Sequence, residues 1–257
     1  MPELPEVETL CRQLRRKIRG CPITASAVYD KKLSEIKNQA GRTVTNVKRN
    51  GKTLEISLDN GEAIYIHLRM TGRLLWQKGN AFPPHTRWKI SFANGNALLI
   101  DPRRFATVNV SAKRPADGKL DIFRSFDLDA FLTRHSRRRT NIKTILMDQN
   151  AISGIGNIYA CEILHQMGIN PEKPPGDLQK GDWEKLFAAA RQILKKAIAC
   201  RGTSISDWRD LTGRKGKNQH ELKVYGREGQ PCFNCDTPIC RKKQNGRSTF
   251  FCPDCQK

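Results

Sequence analysis

Met1-Pro2-Glu3 opens the chain with groups that could carry out covalent chemistry. Removal of Met1 would leave a terminal proline with a free secondary amine. Such an amine attacks an electrophilic carbon and then forms a cationic iminium that withdraws electrons. Glu3, beside it, could move a proton in the same step. The alternative is that Pro2 simply opens a helix, where its missing N–H would be unpaired anyway.

The second chemical signature lies at the other end. Cys232 and Cys235 are spaced CxxC, sixteen residues follow, and Cys252 and Cys255 repeat the spacing. Two matched pairs predict a four-thiolate zinc site on a hairpin, each pair forming one knuckle. Cys240 is off the pattern and reads as a spare thiol. Cys11, Cys161 and Cys200 sit in helical patterns and read as small buried apolar residues. Nine cysteines in a chain without an apolar signal segment argue against a disulfide scaffold.

Three further groups of residues bear on binding. Ser153-Gly154-Ile155-Gly156-Asn157 could present backbone amides and a helix N-terminus to a phosphate. Arg134 to Arg139 holds four arginines and no acid, either a solvated face or a phosphate-contacting one. Asp101-Pro-Arg-Arg-Phe105 leaves a strand with two guanidiniums and a ring. An Arg–Phe pair on a rigid loop could enter a stacked duplex, though an ordinary turn has the same composition.

Elements must position these groups, and composition bounds them. The 257 residues suffice for two modest domains or one large one. A net charge of +21 points to a polyanion, and nucleic acid fits better than a membrane, because no basic amphipathic helix has an aromatic face. No apolar run is long enough to span a membrane. Leu4, Val7, Leu10, Leu14 and Ile18 form one face of a helix ended by Gly20. Leu54, Ile56 and Leu58 alternate, Asn60-Gly61 turns, and Ile64, Ile66, Leu68 and Met70 alternate back. A second hairpin turns at Asn94-Gly95, between strands 88–92 and 97–100. Residues 112–119 read as a linker.

Beyond it the pattern is helical. Asp127 caps a helix to Arg134, Asn141 to Asp148 forms another, and a third runs from Ile158 to Met167. A longer helix spans about Asp182 to Cys200. A basic loop from Arg209 to Gln219 and a short strand at 222–225 precede the zinc hairpin. The expected class is therefore α+β. An N-terminal helix with an antiparallel β-sandwich would fill 1–115, a helical domain with a loop 120–220, and a zinc finger 221–257.

Met-Pro-Glu-Leu-Pro-Glu-Val-Glu at residues 1–8, Asp101–Phe105, Ser153–Asn157 and the terminal cysteine pairs together resemble the formamidopyrimidine-DNA glycosylases, bacterial enzymes that remove oxidised purines. Sister enzymes for oxidised pyrimidines start Pro-Glu-Gly-Pro-Glu, so Leu4 favours the purine branch. The resemblance implies a helix–two-turn–helix DNA-binding domain in the middle of the chain. It implies a bifunctional glycosylase and abasic-site lyase acting by β,δ-elimination in base excision repair. Its partner would be double-stranded DNA containing oxidised bases. The enzyme would be a cytoplasmic, nucleoid-associated monomer, with one structural zinc as its only cofactor.

By position, the resemblance makes Pro2 the nucleophile toward C1′ and Glu3 the acid/base. Lys52 would assist elimination, and Arg247 would grip a phosphate and aid the second elimination. Met70, Arg103 and Phe105 would fill the gap left by a flipped nucleotide. His85, Arg103, Arg138, Lys143 and Asn157 would contact the DNA backbone. Cys232, Cys235, Cys252 and Cys255 would hold the zinc. The Arg209–Gln219 loop would close over the extruded base. The chain departs from the family where Asp121-Ile-Phe-Arg-Ser-Phe-Asp replaces a Leu-Gly-Pro-Glu-Pro-Leu stretch, and where Arg214-Lys-Gly-Lys-Asn makes the closing loop more basic. The other functional classes are a glycosylase for oxidised pyrimidines and a damage-binding protein without catalysis.

Overall fold

Leu4, Val7, Leu10, Leu14 and Ile18 all lie buried on one face of helix α1 (Leu4–Ile18), with Cys11 among them. Gly20 follows in the left-handed region that lets the chain leave the helix. The computed structural model describes residues 1–79, 81–112 and 120–257, so all but the first residue of the expected linker lies outside them. The chain divides into two compact units, Met1–Asp117 with Ile198–Gln219, and Gly118–Ala197 with His220–Lys257.

Among the described residues the first unit holds eight strands: β1 (Ala25–Val28), β2 (Val44–Asn50), β3 (Thr53–Leu58), β4 (Ala63–His67), β5 (Arg73–Gln77), β6 (Thr86–Phe92), β7 (Gly95–Ile100) and β8 (Thr107–Ser111). They form two antiparallel four-stranded sheets, ordered β1-β6-β7-β5 and β2-β3-β4-β8. Val47, Ile56 and Ile64 of one sheet and Leu74, Ile90 and Leu99 of the other join the apolar face of α1 in one core. This is the expected helix and sandwich.

Both predicted hairpins form. At the second, an added Cβ on Gly95 would sit 2.8 Å from the Trp76 ring, so only glycine fits there. The predicted alternation stops earlier than Met70. Strand β4 ends at His67, and the chain turns so that the Gly72 N–H bonds the Leu68 carbonyl. Met70 is thereby lifted out of the sheet.

The second unit contains β9 (Leu120–Asp121), α2 (Leu128–His135), α3 (Ile142–Met147), β10 (Ile152–Ser153), α4 (Asn157–Gln166) and α5 (Lys180–Ala199), followed by the antiparallel hairpin β11 (Cys240–Gln244) and β12 (Arg247–Phe251). Asp127 and Asn141 cap α2 and α3 with their side chains, as their types predict. The segment at 121–127 is built into this unit. β9 pairs with β10, Phe126 packs edge-on to Phe187 at 4.9 Å, and Arg191 donates to the Ile122 carbonyl. The predicted strand at 222–225 does not form. The amides of Lys223, Val224 and Tyr225 donate instead to the carboxylate of Glu162 on α4, leaving no ladder for a strand.

Candidate active site and metal centre

Pro2 and Glu3 are buried at the start of α1, while Met1 is half exposed above them. Glu3 occupies the helix N-cap position, and its backbone N–H donates to Glu6 Oε2 at 2.7 Å. Glu6 Oε1 accepts from the Thr203 N–H, also at 2.7 Å. One buried carboxylate thus ties the N-terminal dipeptide to the segment after α5. The contact leaves no room for a side chain at Gly202, whose added Cβ would meet Glu6 Oε1 at 2.7 Å.

Lys52 is buried in the β2–β3 turn. That turn is anchored to α1, because Glu8 binds the Arg49 guanidinium and Arg49 donates to the Gly51 carbonyl at 3.0 Å. The Glu3 backbone and the turn that carries Lys52 are therefore both tied to groups of a single helix. Arg15 and Cys11 of α1 also donate to the carbonyls of Val47 and Lys48 on edge strand β2. Burial first, and Glu8 next, push the Cys11 thiol far above its ordinary value, so it is an inert core residue as expected.

Met70, Arg103 and Phe105 project from two turns of this unit and are exposed. The Arg103 guanidinium lies 4.6 Å over the Phe105 ring, so the pair presents one flat cationic surface. His85 is exposed and has a left-handed backbone (φ 64°). Between these positions the Arg87 guanidinium is buried between Asp30 and Asp101, and Arg104 also binds Asp30. The Arg104 hydrogen bond is the largest cause holding Asp30 far below the usual carboxylate range; the Lys32 amide and Arg87 add to it against burial.

The 209–219 segment, read as a closing loop, is anchored at its base. Leu211 is buried in the first unit's core, and Asp210 is wholly buried. The Asp210 carboxylate accepts from Gln13, Arg201, Thr212 and Arg214, and Gln13 also accepts from the Leu211 N–H. A buried charge needs such a ring of donors, and they fix the turn.

In the second unit, Arg138, Lys143 and Arg247 line a groove of about 330 Å³ with Gln244 and Asn245. Arg138 is exposed and paired with Asp148 at 2.6 Å. Arg247 is exposed at the start of β12. Lys143, expected at the DNA backbone, is the most deeply buried of the three. It is 2% exposed, and its ammonium donates to Thr249 Oγ1 at 2.6 Å and to the Ser248 carbonyl. Asn157 Nδ2 donates to the same carbonyl at 2.8 Å. Helices α3 and α4 thus hold the strand that carries Arg247. The Gly154 N–H, one of the amides considered for a phosphate, is already bonded to Gln149.

The four predicted cysteines converge with all Sγ atoms within 4.8 Å, and three of the pairs are 3.3, 3.4 and 3.9 Å apart. A tetrahedral zinc with bonds of about 2.3 Å would place its sulfurs roughly 3.8 Å apart, so the donor set fits one structural zinc. The Asn234 and Cys255 amides point at the Cys232 and Cys252 sulfurs, and His165 Nε2 lies 3.6 Å from Cys232 Sγ. Such donors orient thiolates around a metal. Hydrogen bonds from Thr237 and Cys255 lower the Cys235 thiol, while burial raises that of Cys252 and the hydrogen bond to Cys235 raises that of Cys255. Cys240 lies outside the cluster, as predicted.

Sequence reasoning missed Glu6 as a bridge, Asp210 as an anchor and Asp101 as a hub. Only Glu6 carried a local signal, its capping-box spacing from Glu3.

Residues 1–108 match the family profile described as the formamidopyrimidine-DNA glycosylase N-terminal domain, 118–208 that of its H2TH domain, and 229–257 a zinc finger found in FPG and IleRS. A formamidopyrimidine-DNA glycosylase of Pelotomaculum thermopropionicum is 39% identical, covering 100% of this chain and 99% of its own. Among solved structures, a Lactococcus lactis FPG mutant in complex with Fapy-dG-containing DNA is 31% identical, with a TM-score of 0.89 over 100% of both chains. The wild-type Lactococcus lactis protein with DNA containing an oxidised pyrimidine is also 31% identical over 100% of both chains, with a TM-score of 0.87.

Proposed function

The chain belongs to the formamidopyrimidine-DNA glycosylase family, and on that premise we propose that it excises oxidised purines from duplex DNA and cleaves the resulting abasic strand. The observation that carries this reading is the joint anchoring on α1 of Glu3, which follows Pro2, and of the turn that carries Lys52. A nucleophile, a carboxylate and an ammonium on backbone that one helix anchors suit a concerted attack.

Loss of Met1 exposes the Pro2 amine. Its nitrogen attacks C1′ of the extruded nucleotide as the glycosidic bond breaks and the base leaves. Glu3 supplies a proton as the sugar ring opens. The nitrogen–C1′ bond becomes an iminium, which acidifies the C2′ proton. Removal of that proton, assisted by Lys52, expels the 3′ phosphate. A second elimination, with Arg247 on the phosphate, expels the 5′ phosphate. The nucleotide reaches this site only after leaving the stack, which costs a few kcal/mol. Insertion of Met70, Arg103 and Phe105 into the gap offsets that cost. His85, Arg138 and Asn157 serve the DNA backbone, and Lys143 serves it through the hairpin it holds. The zinc stabilises the finger and takes no part in the chemistry.

No helix among the described residues is long and apolar enough to cross a membrane. The protein acts as a monomer in the cytoplasm, on the nucleoid, in keeping with its charge of +21. The oxidised-pyrimidine complex of the Lactococcus lactis relative favours a second activity on such lesions. Borohydride trapping on an 8-oxoguanine duplex, with mass spectrometry of the adduct, tests the main reading. A covalent adduct on Pro2 is expected, and an adduct formed by protein with Met1 still in place would overturn it.

A further inference from the structure

We propose that Asp101 is a positioning residue for base extrusion, locking the turn that carries Met70 to the loop that carries Arg103 and Phe105 so that the three side chains enter DNA as one rigid wedge. This rests on the role proposed above for those three residues.

Five donors from three segments converge on this one carboxylate, which is 1% exposed. Oδ1 accepts from the Thr71 hydroxyl at 2.5 Å and the Arg103 N–H at 3.2 Å. Oδ2 accepts from the Phe105 and Ala106 amides, both at 2.7 Å, and from Arg87 at 3.4 Å. Arg87 also donates to the Ala106 carbonyl at 2.7 Å, closing the loop from its other side. The Asp101 N–H bonds the His85 carbonyl. The two turns also touch, since a Cβ added to Gly72 would lie 2.9 Å from that of Ala106.

Only an ionised carboxylate can accept from so many donors at once. An amide has one acceptor oxygen, and its NH₂ would face donors. The wedge side chains are themselves exposed and make no core of their own. Their placement therefore comes from the backbone turns, and the turns from Asp101. A wedge already ordered in the free protein loses less conformational entropy when it enters the stack.

The test uses Thr71→Val, which removes only the bond between the Met70 turn and Asp101 and keeps shape and charge. Single-turnover excision is compared on 8-oxoguanine in a stacked duplex and in an unpaired bubble, at a temperature where each variant is fully folded. Thr71→Val should slow duplex excision by about tenfold, the scale of one charge-assisted hydrogen bond, with little change on the bubble. Thr71→Ser should restore the rate, and in an Asp101→Asn background Thr71→Val should have little further effect. Phe105→Ala is run alongside. If Phe105→Ala shows the duplex bias and Thr71→Val does not, the positioning role is wrong while the wedge stands. If Phe105→Ala slows both substrates alike, the wedge reading fails and this inference fails with it.

Discussion

At the scale of single residues, burial separates groups that do chemistry from groups that hold them. Glu3 is buried beside Pro2, and its backbone is bonded to Glu6. Glu3→Gln keeps its shape and removes proton transfer. Base excision should fall by about 10²–10⁴-fold while binding to abasic-site DNA stays near wild type, measured by single-turnover kinetics and titration. Equal loss in both assays would make Glu3 a structural cap. Lys143 invites the opposite comparison, because its ammonium is committed to Ser248 and Thr249. Lys143→Met should lower the stability of the second unit by about 1–3 kcal/mol, read by chemical denaturation. A surface phosphate contact would instead leave stability unchanged and reduce the salt slope of DNA binding by about one.

At the scale of elements, two devices hold the site. One is the carboxylate network of the first unit. In Asp101, burial raises the pKa but is outweighed by the Ala106, Phe105 and Arg103 amides and the Thr71 hydroxyl. In Asp210, burial is outweighed by Gln13, Thr212 and Arg214. With Asp30, all three carboxyls titrate below the ordinary carboxylate value of about 3.9. Their stabilisation is therefore fully present above that pH and is lost as pH falls through the lower folded-state values. Thermal melts should be flat between about pH 5 and 8 with respect to these groups, then fall steeply below about pH 4. Asp101→Asn should flatten that acid limb. The other device is the finger. Cys252→Ser should release zinc, measured by atomic absorption, and unfold the β11–β12 hairpin while the first unit keeps its melting transition. Active protein without zinc would refute this.

At the scale of the whole molecule, a charge of +21 makes DNA affinity a function of salt. The logarithm of the binding constant should fall linearly with the logarithm of salt concentration, each phosphate contact contributing about 0.9 to the slope. Arg247→Ala should keep zinc and fold but lower that slope by about one, because its side chain is exposed at the groove shared with Arg138. An unchanged slope would remove Arg247 from the DNA contacts. The first unit's core includes Leu211 and Trp208 from a segment that returns to it late in the chain.

The sequence by itself determined what depends on local spacing. Helical periodicity specified α1, alternation and Asn-Gly turns specified the hairpins, and paired CxxC motifs specified the metal cluster. Each is a relation among near neighbours or a fixed repeat, so it survives in a one-dimensional string. Only the tertiary structure decided which polar groups are buried and who satisfies them. Lys143 meets Thr249 across 106 positions, and Glu6 meets Thr203 across 197. Thr71 reaches Asp101 across 30 positions, which fixed Met70 in a turn where alternation alone had extended a strand. The 222–225 segment failed as a strand for the same reason, since Glu162 claimed its amides from 61 to 63 positions away. A buried charge must find donors wherever the fold supplies them, and no periodicity records where those donors lie.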